Sequence, residues 1–380
     1  MKRLTAACGG RMESFSRGER NNTKMVALIG AILVVIVLIL YLAGAFGGGP
    51  RRLSARKLRP VVSQQVTPFG DRLLYYDGGT IFCLSSNGTE LWKYVLGSNA
   101  GFAVSDRLVV AWVGSHLHIL DRNGRVTFND RLTDNIQFAK AGTQYVAAVV
   151  GDSISPSLVI KDVNGLNVDS ESVAYEDKMI LDLGFFENGE YLWTTALDIM
   201  GVAPMTVMNM YRVGAMNTGE LELGEEITYA VLYSGQKLHV INTRDIKRFD
   251  SRGTQDPFAK QLVYGWRLID SVTGGGDATM LFAPEMEVGD VQQMTELRVL
   301  SGTNRDSRYT LPDTCVGAGI WGNTLFAFSG EILYRADLSA QRFSALQTTI
   351  PDRITGYIGR LSNGVALVNC GDDVWAVTLP

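Results

Sequence analysis

Residues 77–97 read DGGTIFCLSSNGTELWKYVLG, and residues 115–132 read SHLHILDRNGRVTFNDRL. Each is an apolar run, an Asn-Gly pair, and a second run rich in large side chains. The same phrase recurs along most of the chain. Strand-turn-strand starts fall at Gly70, Ser105, Gly142, Asn188, about Thr228, Gly276, Gly322 and Asn363, at intervals of 35, 37, 46, 40, 48, 46 and 41 residues. Within 108–120 (LVVAWVGSHLHIL) a helix is excluded, because Gly114-Ser115 interrupts the run where other units place a turn and the β-branched content favours strand.

A period near forty residues with four short strands per unit is the pattern of an all-β propeller, in which no single unit buries its apolar faces and neighbouring blades must stack. Eight starts imply eight blades over residues 61–380; seven is the alternative if the irregular units near Ile199 or Gly276 merge. Several runs are continuously apolar, as expected for strands covered on both faces. The pairs Asn87-Gly88, Asn123-Gly124 and Asn164-Gly165 occupy matching places and point to two-residue type I′ hairpins. The last unit stops after two strands at Pro380, while 61–67 (VVSQQVT) precedes the first unit as an unpaired strand. The two ends are therefore expected to complete one blade together and close the ring.

The stretch from Gly79-Thr80-Ile81-Phe82-Cys83-Leu84 to Glu90-Leu91-Trp92 resembles the quinoprotein-type propeller repeat, GxVYxLDxxTGxxLW. The first two units match it best. With its single apolar segment, the chain also resembles membrane-anchored propeller proteins of unknown function from Gram-positive bacteria. The resemblance implies a fold and a location. Quinoprotein dehydrogenases set an adjacent cysteine pair against their cofactor, and no such pair occurs here, so no cofactor is expected.

Residues 25–46 (MVALIGAILVVIVLILYLAGAF) carry no charge over 22 positions. As a helix they reach about 33 Å, enough to cross the roughly 30 Å hydrocarbon core of a bilayer. Ala43-Gly44-Ala45 offers a signal-cleavage site, but the run is longer than a signal's apolar region and follows a longer polar tail. Cys8 has no apolar core before it and is not an acylation site. The expected order is a cytoplasmic tail (1–24), a transmembrane helix (25–46), a linker (47–60) and the propeller (61–380) outside the cell. Basic residues flank the span almost equally, so the orientation rests on the short tail and long exported part.

Eleven of the 35 Lys and Arg but only two of the 39 Asp and Glu precede residue 61, leaving 24 basic against 37 acidic residues, a formal charge of −13 for 61–380. Such a domain repels phosphate backbones and is not expected to bind nucleic acid. Its three cysteines, Cys83, Cys315 and Cys370, permit one bridge, though buried thiols in strands are the simpler reading.

Few side chains form a chemical constellation. His116 and His118 share one strand face, and His239 takes the repeat position of His118 in a distant unit; Phe82 and Trp375 fill that position elsewhere, so packing is favoured over zinc. Asp162, Asn164, Asn167 and Asp169 crowd oxygens together, but depart from a calcium loop and overlap a turn. Gly274-Gly275-Gly276-Asp277 lacks the Lys-Ser/Thr of a phosphate loop and reads as a connection between blades. No nucleophile–base pair stands out. The expected function is a non-catalytic binding or scaffold module for an envelope protein, peptide or glycan, with contact regions at 203–224 and 285–294. An enzyme with its site in the propeller funnel is the alternative, expected to show ionisable groups converging at the funnel mouth, whereas a binding module is expected to show an exposed apolar patch with a polar rim.

Overall fold

Short turns separate most of the apolar runs, so each pairs with its predecessor and the chain folds into consecutive antiparallel meanders. The computed structural model describes residues 34–35 and 52–380, apart from 216–218, 258–260, 275, 286–292 and 303–304. Eight sheets result, one for each repeat, and they form an eight-bladed β-propeller. Strands within a blade are termed a to d, from the innermost outwards.

Blade 1 comprises Gln65–Phe69, Arg72–Tyr76, Thr80–Ser85 and Glu90–Val95; blade 2, Gly101–Val104, Leu108–Val113, His116–Asp121 and Val126–Arg131. Blade 3 comprises Ile136–Ala141, Tyr145–Val150, Ser157–Asp162 and Asn167–Glu171; blade 4, Lys178–Phe186, Tyr191–Asp198, Met205–Arg212 and Gly219–Gly224. Blade 5 comprises Thr228–Ser234, Lys237–Asn242, Asp245–Phe249 and Gln261–Leu262; blade 6, Trp266–Val272, Thr279–Pro284, Met294–Ser301 and Arg305–Cys315. Blade 7 comprises Gly317–Trp321, Thr324–Phe328, Ile332–Asp337 and Phe343–Thr348, with Arg52–Leu53 added in parallel outside its strand d. Blade 8 takes Ile354–Arg360, Val365–Cys370 and Asp373–Thr378 from the C-terminus and Ala55–Val61 from the N-terminal side as its strand d.

The ring is thus closed by both ends of the chain, but with a different strand from the one expected. Ala55–Val61, from within the segment read as linker, pairs with Asp373–Thr378. Gln65–Phe69, from the segment expected to close the ring, is instead strand a of blade 1. The propeller therefore begins at Arg52 rather than at 61; the two strands after Asn363 are strands b and c of blade 8, and Ile354–Arg360, before it, is strand a. Leu58 and Pro60 mark the inward face of the basic stretch ARKLRPV, with Leu58 only 4% exposed.

The phase of the repeat is equally specific. Seven of the eight starts coincide with turns between strands a and b, whereas Thr228 begins strand a of blade 5, whose corresponding turn lies at Gly235. The Asn-Gly pairs lie between strands c and d. Their turns are not type I′: Gly88, Gly124 and Gly165 have φ of +80°, +77° and +82°, while the preceding asparagines are not in the left-handed region. The Gly124 N–H donates to the Asp121 carbonyl at 3.0 Å, and the Asp121 carboxylate accepts from the Asn123 and Arg125 N–H groups at 2.8 and 2.9 Å. This is a type I turn followed by a glycine bulge, and the c–d register shifts in each of these hairpins.

Those glycines also hold neighbouring blades together. A Cβ on Gly124 would lie 2.5 Å from the Trp92 ring of blade 1, and one on Gly165 still closer to Phe128 of blade 2. Gly88 faces Leu58 of blade 8, and Gly253 faces Leu221 of blade 4. The Trp92 indole N–H donates to the Arg122 carbonyl at 3.0 Å. A large side chain on strand d thus docks against the c–d turn of the next blade, which explains the spacing between the Asn-Gly pairs and the aromatic residues after them.

Candidate functional site

In an antiparallel meander the d–a connections and b–c turns open on one face, and the a–b and c–d turns on the other. Exposed large apolar side chains are divided unequally between them. The d–a connections and b–c turns carry Val62, Ile154, Val173, Met200, Val202, Ile227 and Tyr264; among the described residues the opposite turns carry Leu166 alone. Val173 is 80% exposed, Tyr264 83% and Met200 68%, so these are not grazing exposures. Six of the seven belong to blades 3 to 6.

Hydrogen bonds join these loops into a continuous surface. The Asp177 N–H donates to Ser155 Oγ at 2.7 Å, linking the Ile154 turn of blade 3 to the Val173 connection. Thr206 Oγ1 donates to the Glu226 carbonyl at 3.0 Å, linking the end of the Met200–Val202 turn to the Ile227 connection. The Val263 N–H donates to the Arg244 carbonyl at 2.8 Å, and the Glu285 N–H to the Gly265 carbonyl at 2.9 Å, which brings in Tyr264. The Leu268 N–H reaches the Tyr229 hydroxyl at 3.2 Å, spanning blades 5 and 6. Charge follows the same path: Asp152, Glu176, Asp177, Glu225 and Glu285 are exposed there. The face is an apolar crescent with an acidic rim.

The central channel has another character. A cavity of about 490 Å³ is lined by Pro68 of blade 1, Arg267 and Asp270 of blade 6, Gly317 of blade 7, and Tyr357 and Arg360 of blade 8. Both Asp270 carboxylate oxygens are engaged, accepting from the Ile320 N–H at 2.7 Å and the Ser271 N–H at 2.8 Å. Burial pushes its pKa up against these bonds. Burial, then the Asp270 charge, holds the Tyr357 phenol well above the usual range. Its ring is stacked on Phe328 with centroids 5.4 Å apart. Asp270 pins blade 6 to blade 7, Tyr357 packs, and the cavity lining contains no nucleophile paired with a base.

The histidines are dispersed. His116 and His118 do share a face of strand c in blade 2, with ring centroids 5.6 Å apart, and Tyr94 Oη meets His118 Nδ1 at 3.1 Å. His239 lies on strand b of blade 5, not at the position equivalent to His118, because that unit's phase differs by one strand. Phe82, His118 and Trp375 are equivalent, each third in strand c. Among the described residues no group of three His, Cys, Asp or Glu is placed to hold a metal.

The oxygen-rich turn of blade 3 is organised around a lysine. Asp162 Oδ1 accepts from the Asn164 and Leu166 N–H groups at 2.9 and 2.8 Å, and Lys161 Nζ donates to Asn167 Oδ1 at 2.7 Å. The Lys161 ammonium also donates to the Gly165 carbonyl at 3.0 Å and lies 4.8 Å from the Phe128 ring centroid. Of the glycine-rich loop, the described residues Gly274, Gly276 and Asp277 lie between strands a and b of blade 6, not in a connection between blades. The loop is held against blade 5 by Ser234 Oγ, which donates to the Gly276 carbonyl at 2.7 Å. Cys83, Cys315 and Cys370 are free and buried, with burial pushing the Cys83 thiol up to about 11 and Cys315 up to about 12. Such thiols are poor nucleophiles.

Burial holds the pKa values of His118 and His239 below the ordinary histidine value, with His116 adding to the first and Arg248 to the second. The unfolded chain takes up protons there that the folded chain resists. Stability conferred by these groups is complete above about pH 6.5 and falls as pH drops through the interval between unfolded and folded pKa values. Urea midpoints measured between pH 7.5 and 5 should therefore decline, and His239→Met should flatten the decline. An unchanged slope in that variant contradicts this assignment.

The contact regions expected from sequence are only partly realised. Most of 203–224 is strands c and d of blade 4, because Met205–Arg212 and Gly219–Gly224 continue the sheet; the exposed apolar side chains Met200 and Val202 lie just before it, in the b–c turn. Of 285–294, residues 286–292 lie outside the described residues. Sequence reasoning missed Val173, Ile227 and Tyr264, which lie in short connections beside buried neighbours such as Tyr175 and Val263.

No family model matches the chain, and no curated protein matches it. Solved structures do. BamB from Moraxella catarrhalis shares 12% identity, with 87% of this chain and 97% of that chain covered and a TM-score of 0.53. The computationally designed Ika8 protein shares 11% identity over 87% and 100%, with a TM-score of 0.56. Sqt1 from Saccharomyces cerevisiae shares 10% identity over 87% and 99%, with a TM-score of 0.53. At these identities the likeness is one of fold, and it places the chain among the β-propellers.

The expected transmembrane helix falls almost wholly outside the described residues. Val34 and Val35 are described and are helical. Among the described residues no helix is long and apolar enough to cross a membrane.

Proposed function

We propose that this chain is a non-catalytic binding module held at the outer face of a cell membrane, and that it engages a protein partner through the crescent on blades 3 to 6. The crescent carries this reading: exposed aliphatic and aromatic side chains joined over four blades, with a polar rim, have the composition of an interaction surface rather than of scattered surface residues. The enzyme alternative has less support, since Asp270 is bonded to backbone and Tyr357 packs on Phe328, and the other ionisable groups described at the channel cavity are the guanidinium groups of Arg267 and Arg360. The uncharged run 25–46 supplies the anchor, and the quinoprotein-type repeat wording accords with membrane-anchored propellers.

A photo-activated crosslinker placed at Val202 or Tyr264 in intact cells should give discrete protein adducts, and one at Leu166 on the opposite turns should give none. Equal adducts from both faces, or none from either, overturn the binding face. Protease added to spheroplasts should cut loops after residue 51 and spare an N-terminal tag. Protection of those loops while a control outside protein is cut reverses the orientation.

A further inference from the structure

We infer that the occupant of this face is a cationic amphipathic segment of the partner, with Lys or Arg interleaved with bulky apolar side chains. The inference rests on the crescent being a binding face and goes further by assigning the partner's chemistry. Two independent features of the surface converge on it.

The first is apolar. Val173, Met200, Val202, Ile227 and Tyr264 present side chains that only apolar partner groups desolvate favourably. A purely polar polycation has nothing to offer them.

The second is charge. Glu176, Asp177 and Glu225 are exposed on the same connections, and none has a basic partner among the described residues. Of the described basic residues nearby, Arg244 faces Glu226 at 4.0 Å, and the exposed Arg267 lies at the blade 6 end of the rim, where it and Glu285 both act on Tyr229. Lys178 is paired with Glu220 at 2.6 Å. Glu176, Asp177 and Glu225 are therefore carboxylates without an ion-pair partner among the described residues, set in a propeller with 28 basic against 37 acidic residues over 52–380, a formal charge of −9. An acidic or phosphate-bearing partner meets repulsion at every approach, whereas a cationic one is steered in and then held by its apolar side chains.

The test uses the full chain in a non-ionic detergent and three labelled peptides of equal length. One alternates Lys with Leu and Trp, one replaces its Lys with Glu, and one sets Lys among Ser. The Lys–Leu–Trp peptide should bind, with Kd rising roughly tenfold between low salt and 0.3 M as rim charges are screened. Combined Glu176→Lys and Glu225→Lys should weaken it at least about fivefold. Combined Asp106→Lys and Glu190→Lys, an equal change of charge on the opposite turns, should leave it within about twofold. Tyr264→Ala and Val202→Ser should each weaken it several-fold without altering the melting temperature, since both side chains are exposed.

Equal weakening by the Asp106→Lys and Glu190→Lys pair, or equal binding of the Lys–Ser peptide, shows attraction by overall charge alone and overturns the inference. If the Glu peptide binds more tightly and Tyr264→Ala weakens it, the inference falls while the binding face stands. If no peptide's binding depends on Tyr264 or Val202, both fall.

Discussion

A chain beginning at Val62 is expected to melt some 5–10 °C below one beginning at Arg52, in one cooperative transition. Removing Ala55–Val61 deletes strand d of blade 8 and leaves the backbone of Asp373–Thr378 unpaired along its outer edge. It also removes Leu58, which is buried between blade 8 and the Asn-Gly turn of blade 1, where a Cβ on Gly88 would lie 3.2 Å from it. Loss of one buried leucine costs about 2–5 kcal/mol, and the lost ladder bonds add further. For a domain of this size an unfolding entropy near 0.7 kcal/mol/K converts about 5 kcal/mol into about 7 °C. Leu58→Asp in the full chain should reproduce most of the loss, because it sets a charge in the same buried place. Equal melting temperatures for the two truncated chains would mean that the ring does not depend on its N-terminal strand.

Gly124→Val should destabilise the propeller by about 3 kcal/mol, from two sources that can be separated. At φ +77° a β-branched residue is strained, and its Cβ would lie 2.5 Å from the Trp92 ring. Trp92→Ala removes the second source and leaves the first. The double variant should therefore be more stable than the sum of the two single losses implies, by about 1–2 kcal/mol. Strict additivity in denaturant titrations would show that Trp92 and Gly124 do not form the contact that joins blade 1 to blade 2.

The blade count was legible because turns and apolar runs alternate locally, and local chemistry survives in any fold. The phase in blade 5 was not. Its strand d is only Gln261–Leu262, and Asp250–Thr254 makes a turn without an Asn-Gly pair, so the usual landmark is missing. That one-strand error moved His239 into apparent equivalence with His118. The closing strand was hidden by its charges: ARKLRPV buries only Leu58 and Pro60 and reads as a basic linker. The type I′ reading failed because Asn-Gly serves both hairpin forms; the carboxylates of Asp121 and Asp162, capping the turn N–H groups, are the distinguishing signal.

The crescent was the least legible feature. Val173, Ile227 and Tyr264 lie in short connections, the first and last beside the buried Tyr175 and Val263, and nothing local tells the exposed residue from its buried neighbour. Only the phase of all eight repeats assigns them to one face, and only hydrogen bonds between neighbouring loops make that face continuous. The acidic rim was visible as net charge but not as a location.

Hydroxyl-radical footprinting tests the central claim most directly, by comparing the purified chain with the chain in its native membranes. Met200 and Tyr264 are exposed and oxidisable, and Leu166 reports the opposite turns at 67% exposure. The binding-face account expects Met200 and Tyr264 to react readily in the purified chain and to be protected several-fold in membranes, with Leu166 unchanged. Equal reactivity of Met200 and Tyr264 in both preparations, or protection at Leu166 instead, would contradict it.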